Sequence, residues 1–153
     1  MRLLPVLALL LVAPVSAQGR PLRVTGIAPL TFGTLIPGVP VLVPPADAAR
    51  AGQFEVRGQK AVPLQLTFVL PAAMVGPGGA VLPLAFGAAD AGFSPSGSAA
   101  AQAAFDPRVP ATFTLPGNGK ASVFLGGRAL PVNGQAAGSY TGTITFVVSY
   151  LGS

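Results

Sequence analysis

Few side chains in this chain could do chemistry. The carboxylates are Asp47, Glu55, Asp90 and Asp106, and the chain has no His, Cys or Trp. Asp90 and Asp106 share one stretch, and a pair of carboxyl groups is the minimum for glycoside hydrolysis. Nothing around them sets their separation, and a Trp-free chain is poor in the aromatic platforms of sugar clefts. Calcium would want more clustered oxygens than these two acids offer. Lys60 and Lys120 could activate a serine, but Arg57 and Gly117 stand three residues before them. Gly117-Asn118-Gly119-Lys120 fails as a phosphate loop, because Thr114 replaces its first glycine and Ala121 its magnesium-binding hydroxyl. Gly92-Phe93-Ser94-Pro95-Ser96-Gly97 has a serine between glycines, but the spacing is wrong and no histidine can serve as its base. Zinc sites of the usual kind and Ser-His or Cys-His machinery are excluded by composition. The expectation is a protein that is not an enzyme, with no catalytic residue, cofactor or metal.

The elements that would position any site follow from the pattern of the rest. With 153 residues, 51% of them hydrophobic and 8% charged, the chain suits one folded core. Its 20 glycines and 17 prolines punctuate alternating apolar runs, the pattern of an all-β protein. The net charge is +5. The bases Arg20, Arg23, Arg50, Arg57, Lys60, Arg108, Lys120 and Arg128 form no dense run, so no nucleic-acid partner is expected.

Met1-Arg2 followed by apolar Leu3 to Val15 and then Val15-Ser16-Ala17 reads as a secretory signal peptide over residues 1–17, cleaved after Ala17. The apolar run is shorter than the roughly 20 residues a membrane span needs. The mature chain, 18–153, is expected as a single β-sandwich domain with no membrane span. Export puts it in the periplasm, at the cell surface or outside the cell.

Leu22, Val24, Ala28, Leu30 and Phe32 share one parity and would line one face of an extended edge segment. Gln53 to Arg57 alternates, with Phe54 and Val56 inward. Leu64, Leu66, Phe68 and Leu70 form the buried face of another strand. Val81 to Phe86 reads as a strand that Pro83 confines to an edge or a bulge. Residues 87–111, rich in Ala, Gly and Ser, read as a long loop or a short helical turn. Thr112–Leu115 and Ala121–Leu125 read as a hairpin about Asn118-Gly119. The terminal strand, Thr143 to Leu151, puts Ile144, Phe146, Val148 and Tyr150 on one face. Tyr140, just before it, is placed to cap a corner through its hydroxyl. The fold class is therefore all-β: an antiparallel, Ig-like sandwich of about seven to nine strands, with an eight-stranded barrel as the rival.

The order of signals carries a resemblance. Leu30-Thr31-Phe32-Gly33 is followed by Gly52-Gln53-Phe54-Glu55-Val56-Arg57-Gly58, a strand ending Leu70-Pro71, then Gly126-Gly127 and Leu130. Ala137-Gly138-Ser139-Tyr140-Thr141-Gly142-Thr143 leads into Val147-Val148-Ser149-Tyr150. Across the whole mature chain this resembles a bacterial family of secreted domains related to spore coat protein U, and it is similar to pilin subunits of the archaic chaperone-usher pathway. The resemblance implies a pilin-like sandwich lacking its last strand, a role in a surface structure or in adhesion, and assembly by strand addition. Neighbouring copies and a periplasmic chaperone would be its partners, with residues 22–32 as a candidate donor or edge segment. The chain departs from such pilins in having no cysteine, hence no disulfide. A self-complete binding module for a glycan or apolar ligand is the alternative.

Overall fold

A computed structural model describes residues 19–152; the expected leader, with its cleavage point at Ala17, lies outside the described residues. The described residues form twelve strands: β1 (Arg23–Ala28), β2 (Val41–Val43), β3 (Gly52–Arg57), β4 (Pro63–Val69), β5 (Ala73–Val75), β6 (Val81–Ala85), β7 (Ala91–Ser94), β8 (Ala103–Phe105), β9 (Ala111–Thr114), β10 (Lys120–Leu125), β11 (Gly127–Ala129) and β12 (Thr145–Tyr150). The described residues contain no α-helix, only a short 3-10 turn at Pro77–Gly79. Every pairing between strands is antiparallel. Three sheets result, ordered β1-β3-β10-β7-β8, β2-β11-β6-β5 and β12-β4-β9.

The five-stranded and three-stranded sheets face each other across a core built by period-two alternation. Leu64, Leu66 and Phe68 of β4 are buried, while Val69 is 59% exposed on the opposite face. Phe146 of β12 lies 4.9 Å from Phe54 of β3 and 4.5 Å from Phe68, ring centre to ring centre. Phe93 of β7 stacks on Phe113 of β9 at 4.4 Å. Each buried large side chain contributes about 1.5–3 kcal/mol. A second cluster, Phe32, Val43, Ala51, Leu82 and Ala129, lies at the four-stranded sheet.

Several expectations are corrected. The strand total exceeds the expected range because Pro71 divides β4 from β5, Gly126 divides β10 from β11, and four strands have only three residues. Residues 87–111 are not a structureless loop, for they contain β7 and β8. β7 is central, flanked by β10 and β8, and all four of its residues are buried. Its small residues, Ala91, Gly92 and Ser94, leave no polar–apolar alternation to read. Thr112–Leu115 and Ala121–Leu125 do not form a hairpin, because β9 pairs with β4 whereas β10 pairs with β3 and β7. The turn itself forms, with Gly119 N–H bonded to Pro116 O at 2.8 Å, but it carries the chain between sheets. Of this Asn-Gly pair only Gly119 takes a positive φ, 68°, so the primed turn of a two-residue hairpin is not made.

β6 is not an edge strand; it lies between β11 and β5 despite Pro83. The Pro83 carbonyl accepts from Leu130 N–H at 2.9 Å, so its missing donor points to where β11 has already ended. Residues 30–35 form no regular strand. A bulge between Gly26 and Ala28 breaks the shared parity expected from Leu22 to Phe32.

The change of sheet at Gly126 depends on glycine. Its backbone runs against the β2 exit, where a Cβ would overlap the Val43 carbonyl and stand 2.8 Å from Pro45 N. Backbone on the receiving side cannot move aside as a side chain can. Gly126→Ala is therefore expected to cost at least about 2 kcal/mol, and urea unfolding of the purified variant checks it.

Candidate binding groove

A groove of about 820 Å³ lies beside the second core cluster. Phe32, Met74, Leu82 and Leu84 line its base, with Leu30 and Leu35 along one wall. The other wall is the stretch 135–144, ending in Gly142 and Ile144. Among the described residues, no lining side chain carries a charge. A smaller groove of about 380 Å³ shares Pro29, Leu30, Gly142 and Ile144 with it and extends along Gly26 to Ala28 of β1. Together they make one elongated apolar trough between the end of β1 and the approach to β12.

The wall is latched by polar groups. Tyr140 donates its hydroxyl to the Ala136 carbonyl at 2.6 Å and accepts from Gln135 Nε2 at 2.8 Å. Gln135 also donates to Val81 O at 3.1 Å, and its own Oε1 accepts from Val132 N–H at 3.2 Å. Thr141 and Val75 exchange backbone bonds of 3.0 and 2.8 Å, tying the wall to β5. The Tyr140 ring lies against Gly76, where a Cβ would stand 2.5 Å from Cε1. Gly138 takes φ 140° above Pro77, a conformation suited to glycine.

The structure gathers some of the expected residues and separates others. Leu30, Phe32, Tyr140 and Ile144 meet in the groove. Ile144 also packs on the first core, together with Leu22, Phe146, Val148 and Tyr150, which do not line the groove. Val24 is 38% exposed on β1, which pairs with β3 and ends its sheet. Sequence reasoning placed Tyr150 only on an apolar face and missed its hydroxyl. That oxygen accepts from Gln59 N–H at 2.7 Å and donates to Arg20 O at 2.8 Å, closing the far end of the sandwich. The readable signal was a tyrosine, with its polar tip, where an alternating face reaches the strand end. Gln135 and Gln102 had no sequence signal; Gln102 Nε2 reaches Pro45 O at 3.1 Å only through tertiary packing.

None of the four carboxylates lines the groove. Asp90 accepts from Gly87 N–H at 2.6 Å, and Asp47 pairs with Arg50 at 2.8 Å. Glu55 pairs with Arg57 and with Lys120. Asp106 receives Arg108 in a two-pronged contact at 2.9 and 2.8 Å. That guanidinium, joined by the Arg108 backbone N–H, holds the Asp106 carboxyl down at about 2. Among the described residues no group of three or more His, Cys, Asp or Glu could hold a metal, and no helix is long and apolar enough to cross a membrane.

Comparison with known protein families, with curated proteins and with solved structures finds no match.

Two outcomes follow from this geometry. Tyr140→Phe should cost about 1 kcal/mol through the lost hydroxyl bonds, and denaturant unfolding measures it. Asp106 has a folded pKa below its ordinary 3.8, so whatever its pair with Arg108 contributes is present above that value and is lost as the pH falls through about 2. Carboxyl-detected NMR should show Arg108→Gln raising the Asp106 midpoint toward the ordinary value.

Proposed function

We propose that this chain is an exported, non-enzymatic structural or adhesion subunit whose apolar trough receives an extended strand from a neighbouring copy. The observation that carries the reading is the trough itself: elongated, uncharged and apolar at its base. It lies between two strands, β1 and β12, each of which ends its sheet. An edge strand offers main-chain donors and acceptors to an added strand, and side-chain pockets beneath it read alternate residues. The pilin-like, Ig-like arrangement inferred from the sequence fits this use, as does the order of motifs resembling spore coat protein U and archaic pilins. A periplasmic chaperone would hold the same trough before assembly, and the leader-like residues 1–17 agree with export.

The identity of the donor strand changes with the fold. Residues 23–28 are β1 of their own sheet, paired with β3 from Arg23 to Ala28. To serve as donor they would have to leave β3. The same pairing favours a second reading, a self-complete module holding a small apolar ligand, since about 820 Å³ lies within the range of ligand pockets. The continuation past Leu30 into the smaller groove favours an extended occupant over a compact one.

Light scattering after size-exclusion chromatography separates the two. Assembly by strand addition predicts concentration-dependent oligomers that Leu35→Asp and Ala137→Asp each reduce to monomer. Ala137 lies exposed on the wall, so that variant should fold even if Leu35→Asp does not. A monomer at every concentration, or oligomers untouched by Ala137→Asp, would overturn the proposal.

A further inference from the structure

Bases that look scattered along the chain converge in space. Arg23 of β1 and Lys120 of β10 pair with Arg57 of β3 from its two sides. Directly paired residues share a face. The adjoining row is Val24, Val56 and Ala121, of which Val56 and Ala121 are buried, so the basic row points outward. Strands in a sheet lie about 4.8 Å apart, which sets the three basic residues side by side on adjacent strands, with Arg57 and Lys120 both reaching to Glu55. Arg20 extends to the same place, its Nη1 being 3.6 Å from where a Gly119 Cβ would stand. Lys60 sits on the turn after β3, whose Gly58 N–H bonds Gly119 O at 2.9 Å.

Five bases thus share one end of the five-stranded sheet with a single acid. Glu55 bonds Arg57 and lies 2.9 Å from Lys120 Nζ. Arg20, Arg23 and Lys60 have no carboxylate partner among the described residues. Elsewhere charge balances: Arg50 pairs with Asp47 and Arg108 with Asp106, leaving Arg128 and Asp90 as equal and opposite. The net positive charge of the described chain therefore resides at this end.

We propose that this end is a docking surface for a linear acidic polysaccharide, one bearing carboxylate or sulfate along its length. Bases drawn from three adjacent strands, with Arg20 and Lys60 beside them, suit a chain that carries anions along its length. Guanidinium groups bind carboxylate and sulfate oxygens two at a time. The next row on the same face is Thr25, Glu55 and Ser122, of which Ser122 is buried. It offers no aromatic ring for nucleobases to stack on and no large apolar side chain to enter a bilayer.

The test is equilibrium binding of the purified protein to polygalacturonate and to heparin, with neutral dextran as control. The acidic chains should bind and dextran should not, with affinity falling as salt rises. Arg20→Gln/Arg23→Gln/Lys60→Gln leaves the Glu55 pairs intact and should lose about tenfold in affinity. Arg50→Gln/Arg108→Gln/Arg128→Gln removes the same charge elsewhere and should stay close to the parent protein. Lys60→Gln alone, with a smaller loss, serves if the triple variant does not fold. Absent binding, or equal losses in the two triple variants, would overturn the site. Tighter binding of single-stranded DNA or of phosphatidylglycerol vesicles than of either polysaccharide would overturn the choice of partner.

Discussion

Aromatic contact between facing sheets is the interaction on which the rest of this molecule depends. The chain has no cysteine to tie its layers together. Phe54, Phe68 and Phe146 instead bridge β3, β4 and β12, while Phe93, Phe105 and Phe113 bridge β7, β8 and β9. Both trios lie in one core cluster with the buried aliphatic residues Val56, Leu64, Leu66 and Val123. Position in this fold is thus fixed by dispersion and burial, which tolerate volume changes poorly.

The two sides of the layered core are closed differently. On the β8–β9 side, Phe105 and Phe113 approach to 5.1 Å and fill the seam. On the β1–β12 side, Gly26 stands where a larger residue would be needed to do the same. A Cβ at Gly26 would meet nothing within 4 Å. The trough therefore has a simple local origin: where β1 ends, above Phe54, the edge strand presents a glycine instead of a ring. Tyr150 closes that second side only at its far end, through Gln59 and Arg20.

What the sequence revealed follows from which residues alternate. β4 and β12 were legible because Leu64, Leu66 and Phe68, then Ile144, Phe146 and Val148, repeat at period two against polar partners. β7 was hidden because a central strand of small residues, buried throughout, carries no alternation. The Asn118-Gly119 signal specified a local turn correctly but could not say that its flanking strands part company. Turn chemistry acts over four residues, whereas sheet membership is decided by long-range pairing. In the groove, Leu30, Phe32 and Ile144 were foreseen as apolar strand residues, but not that a bulge after Gly26 would send Leu22 and Leu30 to different cores. The basic row was invisible for the same reason: Arg23, Arg57 and Lys120 are remote in sequence and adjacent only through register.

That register also gives the molecule a direction. Arg23, Arg57 and Lys120 stand where β1 begins, β3 ends and β10 begins, whereas the trough opens where β1 ends and β12 is approached. Charge and greasy opening thus occupy opposite poles of the strand axis. In the field of any anionic surface such a dipole rotates before it touches, arriving with its cationic pole leading and its uncharged mouth turned toward the solvent.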